Sequence, residues 1–156
     1  MNIFITGGTS GIGLALARFY AAAGHRVGVC GRNTARIDRS DEVNKLLYAY
    51  QLDVCDKDAL TAAVEVFCAD KGLDMMIVAA GYYRNGVTEE VDFEQISQML
   101  KVNIMGALNA MEVARETMKA SGGHLVVIAS VAGLLHYPYA SVYAKCKRAL
   151  IQIADA

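Results

Sequence analysis

A tyrosine and a lysine four positions apart, Tyr143 and Lys147, form the pair in this sequence best suited to moving a proton. On a helix, positions i and i+4 share a face. A phenol ordinarily titrates near about 10, so acting close to neutral pH asks for a lowering of roughly 2–3 pH units, or about 3–4 kcal/mol. A cation alongside favours the phenolate and can provide that. Ser130, at the end of an apolar run, could hydrogen-bond a carbonyl oxygen and steady the negative charge developing on it. Each feature also has an ordinary explanation. Y-x-x-x-K is a common amphipathic pair on surface helices, and a serine after a strand is a common turn or cap residue.

A second kind of signal lies near the N-terminus. Thr6-Gly7-Gly8-Thr9-Ser10-Gly11-Ile12-Gly13 falls between a short apolar run and an amphipathic stretch. Glycines there let the backbone turn tightly and let a phosphate approach peptide N–H groups. A helix beginning at Gly11 would aim its N-terminus at the negative charge. Gly7, Thr9, Ser10, Gly11, Ile12 and Gly13 are therefore candidate nucleotide contacts. Such a loop can also be merely a tight turn, but its place after a strand and before a helix favours the ligand reading. Its spacing, T-G-x-x-x-G-x-G, departs from the G-x-G-x-x-G of the commonest dinucleotide folds.

The elements that must position these residues follow from hydrophobic periodicity. Ile3-Phe4-Ile5 reads as a first strand. Gly11 to Ala23 reads as a helix with Ile12, Leu16 and Phe19 on one face, ended by Gly24. Val27 to Cys30 is a second strand, Thr34 to Lys45 a short polar helix, and Leu46 to Asp53 contains a third strand. Lys57 to Ala69 is a helix and Met75 to Ala79 a fourth strand. Asp92 to Ala120 reads as one long helix, with Asn103 on the stripe of Ile96, Leu100, Ala107 and Met111. Leu125 to Ala129 is a fifth strand, apolar throughout, as expected of a strand covered on both faces. Ser141 begins a last helix. Strands alternating with helices of this length predict an α/β fold with a doubly wound, Rossmann-type parallel sheet. The 156 residues suit a single domain, 1–156.

In this order and register, the segments resemble the short-chain dehydrogenase/reductase family. The T-G-x-x-x-G-x-G loop is that family's variant. Ala79-Ala80-Gly81 is similar to its N-A-G or A-A-G element, with Val78 standing where the family often has asparagine. Asn103 in Val102-Asn103-Ile104 matches its helix asparagine, Ser130 its strand-end serine, and Tyr143 with Lys147 its Y-x-x-x-K pair. The resemblance implies an oxidoreductase that interconverts a carbonyl and an alcohol on a small or apolar substrate. A nicotinamide cofactor would supply hydride, Tyr143 the proton, and Lys147 would also bind the cofactor's ribose hydroxyls beside Tyr143. Ala80 and Gly81 would flank the cofactor, Asp53 would lie near the adenine, and Asn103 would hold a water in a proton relay. A satisfied core amide remains an alternative for Asn103, because a buried amide needs partners.

The end of the second strand discriminates between the nicotinamide cofactors. An acidic residue there would bond the ribose 2′-hydroxyl of NAD, whereas an arginine suits a 2′-phosphate. Arg32, with Arg36 nearby, points to NADP(H) rather than NAD(H); a solvated surface arginine is the alternative. Tyr82, Tyr83, Tyr137 and Tyr139 flank the expected pocket and suggest an apolar or aromatic substrate. His136 lies in the loop that the family uses near substrate.

Composition narrows the remaining possibilities. Lys and Arg number 15 against 16 Asp and Glu, giving a net charge of -1, so neither nucleic acid nor an anionic membrane is expected as a partner. No apolar run is long enough to span a bilayer, and strand-like sequence from Asn2 leaves no room for a secretory signal. Cys30, Cys55, Cys68 and Cys146 have no C-x-x-C spacing, so reduced thiols, a cytoplasmic location and no metal are expected. A homodimer or homotetramer is expected through the long helix and the last one, which carry Met99, Ala107, Met111, Val113, Leu150 and Ile151. Family members continue through further strand and helix, and Ile151 to Ala156 carries no helix stop signal. The chain is therefore expected to be C-terminally truncated, without the usual C-terminal strands. A nucleotide-binding regulatory or interaction domain with little turnover is the competing reading.

Overall fold

Short apolar runs alternate with longer stretches of helical period, and the backbone follows that alternation. The computed structural model describes residues 1–69, 71–84, 92–135 and 141–155. Its strands are β1 (Asn2–Thr6), β2 (Arg26–Gly31), β3 (Leu47–Gln51), β4 (Met75–Val78) and β5 (His124–Val127). Its α-helices are α1 (Gly11–Ala22), α2 (Glu42–Lys45), α3 (Lys57–Cys68), α4 (Phe93–Leu100), α5 (Ala107–Met118) and α6 (Ser141–Ala154). All strand pairings are parallel, in the order β3-β2-β1-β4-β5. The chain runs outward from β1 to β3 and then returns to the other side of β1. That reversal opens a crevice at the carboxyl ends of β1 and β4, the place where doubly wound sheets bind ligands.

Successive strand residues point to opposite faces, and each face has its own core. Phe4, Met76 and Val78 pack with Leu60, Val64 and Phe67 of α3 and Ala107, Ala110 and Ala114 of α5. Ile3, Ile5, Val27, Val29 and Ile77 pack with Ala17 and Ala21 of α1. Among the described residues, no helix is long and apolar enough to cross a membrane.

Several elements differ from the sequence-based expectations. The buried face of α1 is Gly13, Ala17 and Ala21, while Ile12 and Phe19 are exposed. Small residues occupy that face: Gly13 sits against the Gly7 carbonyl, and Ala17 and Ala21 pack on the strands. Thr34 to Lys45 is not one helix: a 3-10 turn at Thr34–Arg36 precedes the single turn of α2. The Asp38 carboxylate accepts bonds from the Ser40 amide (2.9 Å) and hydroxyl (2.7 Å), and Asp41 caps the amides of Val43 and Asn44. Such side chains offer the backbone an alternative to helix.

The stretch Asp92 to Ala120 is helical but not uniform. Asp92 caps α4 through the Gln95 amide at 2.8 Å, and a π-helical turn at Lys101–Gly106 separates α4 from α5. The π turn shifts the helical register, so Asn103 is fully buried while Leu100 is 47% exposed. Met99, Ala107, Val113 and Leu150, expected at an interface between copies, belong to the core instead. The exposed apolar residues on these elements are Phe93, Leu100, Met105 and Ile153. Finally, β5 begins at His124 and pairs with β4 alone among the described strands. Its Leu125 and Val126 are exposed, unlike the side chains of a strand covered on both faces.

Candidate functional site

The loop between β1 and α1 depends on glycine at two points. Gly7 has φ +69°, and a Cβ there would lie 2.7 Å from the backbone of Ala80. A Cβ on Gly13 would collide with the Gly7 carbonyl, so this glycine lets the first turn of α1 sit against the loop. Ser10, which precedes α1, has an extended backbone and makes no side-chain cap bond. The first amides of α1 therefore keep their hydrogen-bonding capacity for an anion. The Thr6 hydroxyl accepts a bond from the Ala80 amide at 3.3 Å, tying the loop to the segment after β4. Thr9 is buried against Gly31, where a Cβ would strike its hydroxyl.

Two clefts open from this loop. One, of about 190 Å³, runs toward the end of β2 and is lined by Arg32, Asn33, Arg36, Leu52, Asp53 and Val54 along with Gly7, Thr9 and Ser10. Asn33 caps the 3-10 turn that carries Arg36. The Asp53 carboxylate accepts a bond from the Cys55 amide at 2.9 Å. Burial, together with the hydrogen bond and charge of Asp53, pushes the Cys55 thiol up to about 11. Burial likewise pushes Cys30, on the cleft wall, up to about 12. The other cleft, of about 290 Å³, holds Gly11, Ile12 and Gly13 on one side and Tyr83, Ile128, Tyr143 and Lys147 on the other. The clefts share Gly7, Ser10 and Gly81.

Helix α6 delivers the tyrosine and lysine. The Lys147 ammonium lies 5.7 Å from the centre of the Tyr143 ring and donates to the Ile128 carbonyl at 2.8 Å. Lys147 is buried, and that burial holds its pKa below the ordinary lysine value. A cation kept there keeps its charge close to Tyr143 instead of dispersing it into solvent.

Ser130 lies next to Ala129, which lines the second cleft, but is not itself among the described residues of that lining. Its hydroxyl accepts a bond from the Ala132 amide at 3.2 Å, at the start of a 3-10 turn over Val131–Gly133. Arg148 then clamps this turn to α6 by donating to the carbonyls of Gly133 (3.0 Å) and Leu134 (3.2 Å).

Asn103 reaches the site through backbone. Its Nδ2 donates to the carbonyls of Tyr82 (2.6 Å) and Met99 (2.9 Å), and its Oδ1 accepts the Tyr82 amide at 3.3 Å. The buried amide is thus satisfied, and it holds the chain just after Gly81. A Cβ on Gly81 would approach Asn103 Oδ1 to 3.1 Å, tighter than ordinary contact.

The structure thus gathers Gly7, Thr9, Ser10, Arg32, Asp53, Ala80 and Gly81 around one cleft, and Ile12, Gly13, Tyr143 and Lys147 around the adjoining one. Asn33, Leu52, Val54 and Val102 also line the first, and the sequence reading missed them. They lie at strand ends and in a helical turn, where ordinary apolar and cap residues carry no signal of their own. Arg148 was missed too, because its partners are the carbonyls of Gly133 and Leu134, which no spacing in the helix reveals. His136, Tyr137 and Tyr139 lie outside the described residues.

A family model described as short chain dehydrogenase matches residues 1–156. The chain is 30% identical over 165 residues to a 3-dehydrosphinganine reductase of Arabidopsis thaliana, covering 99% of this chain and 49% of that protein. It is 30% identical over 159 residues to the 3-oxoacyl-acyl-carrier-protein reductase FabG of Chlamydia muridarum, covering 97% of this chain and 64% of the relative. Among solved structures, ElxO with NADP bound matches with a TM-score of 0.88 at 28% identity, over 97% of this chain and 64% of that one. A serine dehydrogenase from Escherichia coli matches with a TM-score of 0.88 at 26% identity, over 98% and 73%. The chain spans between 49% and 64% of the length of these curated relatives.

Proposed function

This chain belongs to the short-chain dehydrogenase family, and on that premise we propose that it is an NADP(H)-dependent oxidoreductase interconverting a carbonyl and an alcohol on a small or apolar substrate. The observation that carries the reading is the meeting of the two clefts at Gly7, Ser10 and Gly81, with Arg32 and Arg36 in one lining and Tyr143 and Lys147 in the other. When bound, the nicotinamide supplies the hydride.

The fit to a dinucleotide rests on features of this chain. Gly7, Gly11 and Gly13 leave the loop clear of side chains, and Thr9, Ser10 and Ile12 complete it. The uncapped first turn of α1 suits a phosphate. Arg32 and Arg36, exposed on the wall of the first cleft, suit a ribose 2′-phosphate. Asp53 borders the adenosine end, and Ala80 and Gly81 flank the middle. The match to ElxO, solved with NADP bound, agrees with that choice.

In this reading Tyr143 holds the proton and delivers it to the substrate oxygen. Lys147 supplies positive charge beside the phenol and binds the ribose hydroxyls. Ser130 accepts its present bond from Ala132, which leaves the hydroxyl proton to donate to the substrate carbonyl. Asn103 fixes the backbone beside Gly81 and is the water-holding position of the proton relay. Residues 1–156 act as one cofactor-binding and catalytic unit of a cytoplasmic protein whose thiols are free. The exposed Leu100 and Met105 are the apolar surface through which a homodimer or homotetramer assembles. Following NADPH and NADH oxidation by the full-length protein with a panel of ketones tests the reading. Ketone-dependent oxidation of NADPH is expected, and none with any ketone would contradict it.

A further inference from the structure

Tyr83 belongs to neither the glycine loop nor the tyrosine–lysine pair, yet it meets the residue on which the chemistry turns. Its ring packs edge-to-face on that of Tyr143, with centroids 5.0 Å apart and planes at 67°. The Tyr143 ring therefore has an aromatic neighbour as well as the Lys147 ammonium. The chain just before Tyr83 is held by the paired bonds between Asn103 and the Tyr82 backbone. Tyr83 is 49% exposed, so about half of its surface stays open. It faces a cleft whose other apolar walls include Ile12, Ile128 and Ala129.

We propose that Tyr83 is a positioning and specificity-determining residue. Its ring orients the Tyr143 phenol, and its open face seats a flat, apolar group next to the substrate carbonyl, making aryl ketones the favoured class. The proposal rests on Tyr143 being the proton donor to a carbonyl held in this cleft. Rings attract one another in edge-to-face and offset-stacked geometries beyond what area burial alone supplies, whereas a short alkyl group gains only its area. The role proposed belongs to the ring, so phenylalanine should keep it.

The test uses the full-length protein loaded with cofactor. Calorimetric titrations with acetophenone and with butanone, plus KM and kcat for each, are made on the wild type, Tyr83→Phe, Tyr83→Leu and Tyr83→Ala. The ratio of acetophenone to butanone affinity should persist in Tyr83→Phe. It should fall about 3- to 10-fold in the Leu and Ala variants, with NADPH affinity unchanged in all. Tyr83→Ala should also lower kcat for both ketones, because the phenol is less well oriented. An unchanged ratio in both the Leu and Ala variants, or a wild type without aryl preference, overturns the proposal. Repeating the titrations in Tyr143→Phe separates it from the reading above. That variant keeps the ring contact, so the ratio should survive even though turnover is lost. Normal turnover there would remove Tyr143 as the donor, while the binding ratio would still decide the role of Tyr83.

Discussion

The Lys147 ammonium, 5.7 Å from the centre of the Tyr143 ring, is anchored by its bond to the Ile128 carbonyl at the end of β5. Burial lowers its pKa from the ordinary value of 10.5. The unfolded chain therefore holds this proton more tightly than the folded one. The destabilisation that Lys147 brings is present while both states carry the charge, and it is relieved as the pH rises toward 10.5. Paired denaturant titrations of the wild type and Lys147→Met should show the wild type gaining stability relative to the variant as the pH rises toward 10.5. A relative loss over that window would mean that burial is not what sets the lysine.

Gly13 separates steric need from backbone need. A Cβ there meets the Gly7 carbonyl, whereas at Gly11, with φ +53°, it meets nothing within 4 Å. Gly13→Ala should cost about 1–3 kcal/mol through overpacking and weaken NADPH binding at least ~10-fold. Gly11→Asn should be milder, since asparagine tolerates left-handed backbone. Thermal unfolding and cofactor titration of both variants check this ranking, and the reverse order would contradict it.

Arg32 and Arg36 border the same cleft as Asp53. A charge-assisted hydrogen bond to a phosphate contributes about 1.5–3 kcal/mol, or roughly 10–150-fold in affinity. Arg32→Ala should lose that factor for NADPH and leave NADH affinity unchanged, and Arg36→Ala should behave likewise by a smaller factor. Equal affinity of the wild type for the two cofactors in calorimetry would remove the 2′-phosphate assignment.

Cys30 carries an alkaline liability. Burial raises its pKa from 9.0 to about 12, so above pH 9 the unfolded chain ionises while the folded one keeps its proton. The contribution is intact below pH 9 and lost as the pH climbs to about 12, up to about 4 kcal/mol in all. Cys30→Ala should lose less stability than the wild type between about pH 9 and 10.5. Parallel slopes would show that other groups govern the alkaline limb.

Much of this was legible in the sequence because two of its signals are local. A glycine loop between a strand and a helix, and Tyr143 and Lys147 one helical turn apart, depend on near neighbours along the chain. The strand alternation predicted the parallel sheet for the same reason. What escaped was decided by distant contacts. Gly13 faces inward because α1 must approach the loop there, and Ala17 and Ala21 pack on the strands, while the larger Ile12 and Phe19 stay exposed. The π turn at Lys101–Gly106 accompanies the bonds that Asn103 makes to Tyr82, whose position the helix's own sequence does not encode. Gly106 there packs against Val54, where a Cβ would have no room. The contact between Tyr83 and Tyr143 joins residues sixty apart in the chain, and no spacing rule would have paired them.

The measurement closest to the central claim is single-turnover NADPH oxidation by Tyr143→Phe in the full-length protein, with cofactor affinity measured alongside. The phenyl ring keeps the contacts with Lys147 and Tyr83 and loses only the proton to be transferred. NADPH should bind as in the wild type, and ketone-dependent oxidation should fall by at least ~10². A variant that oxidises NADPH at near wild-type rates would show that Tyr143 does not deliver the proton.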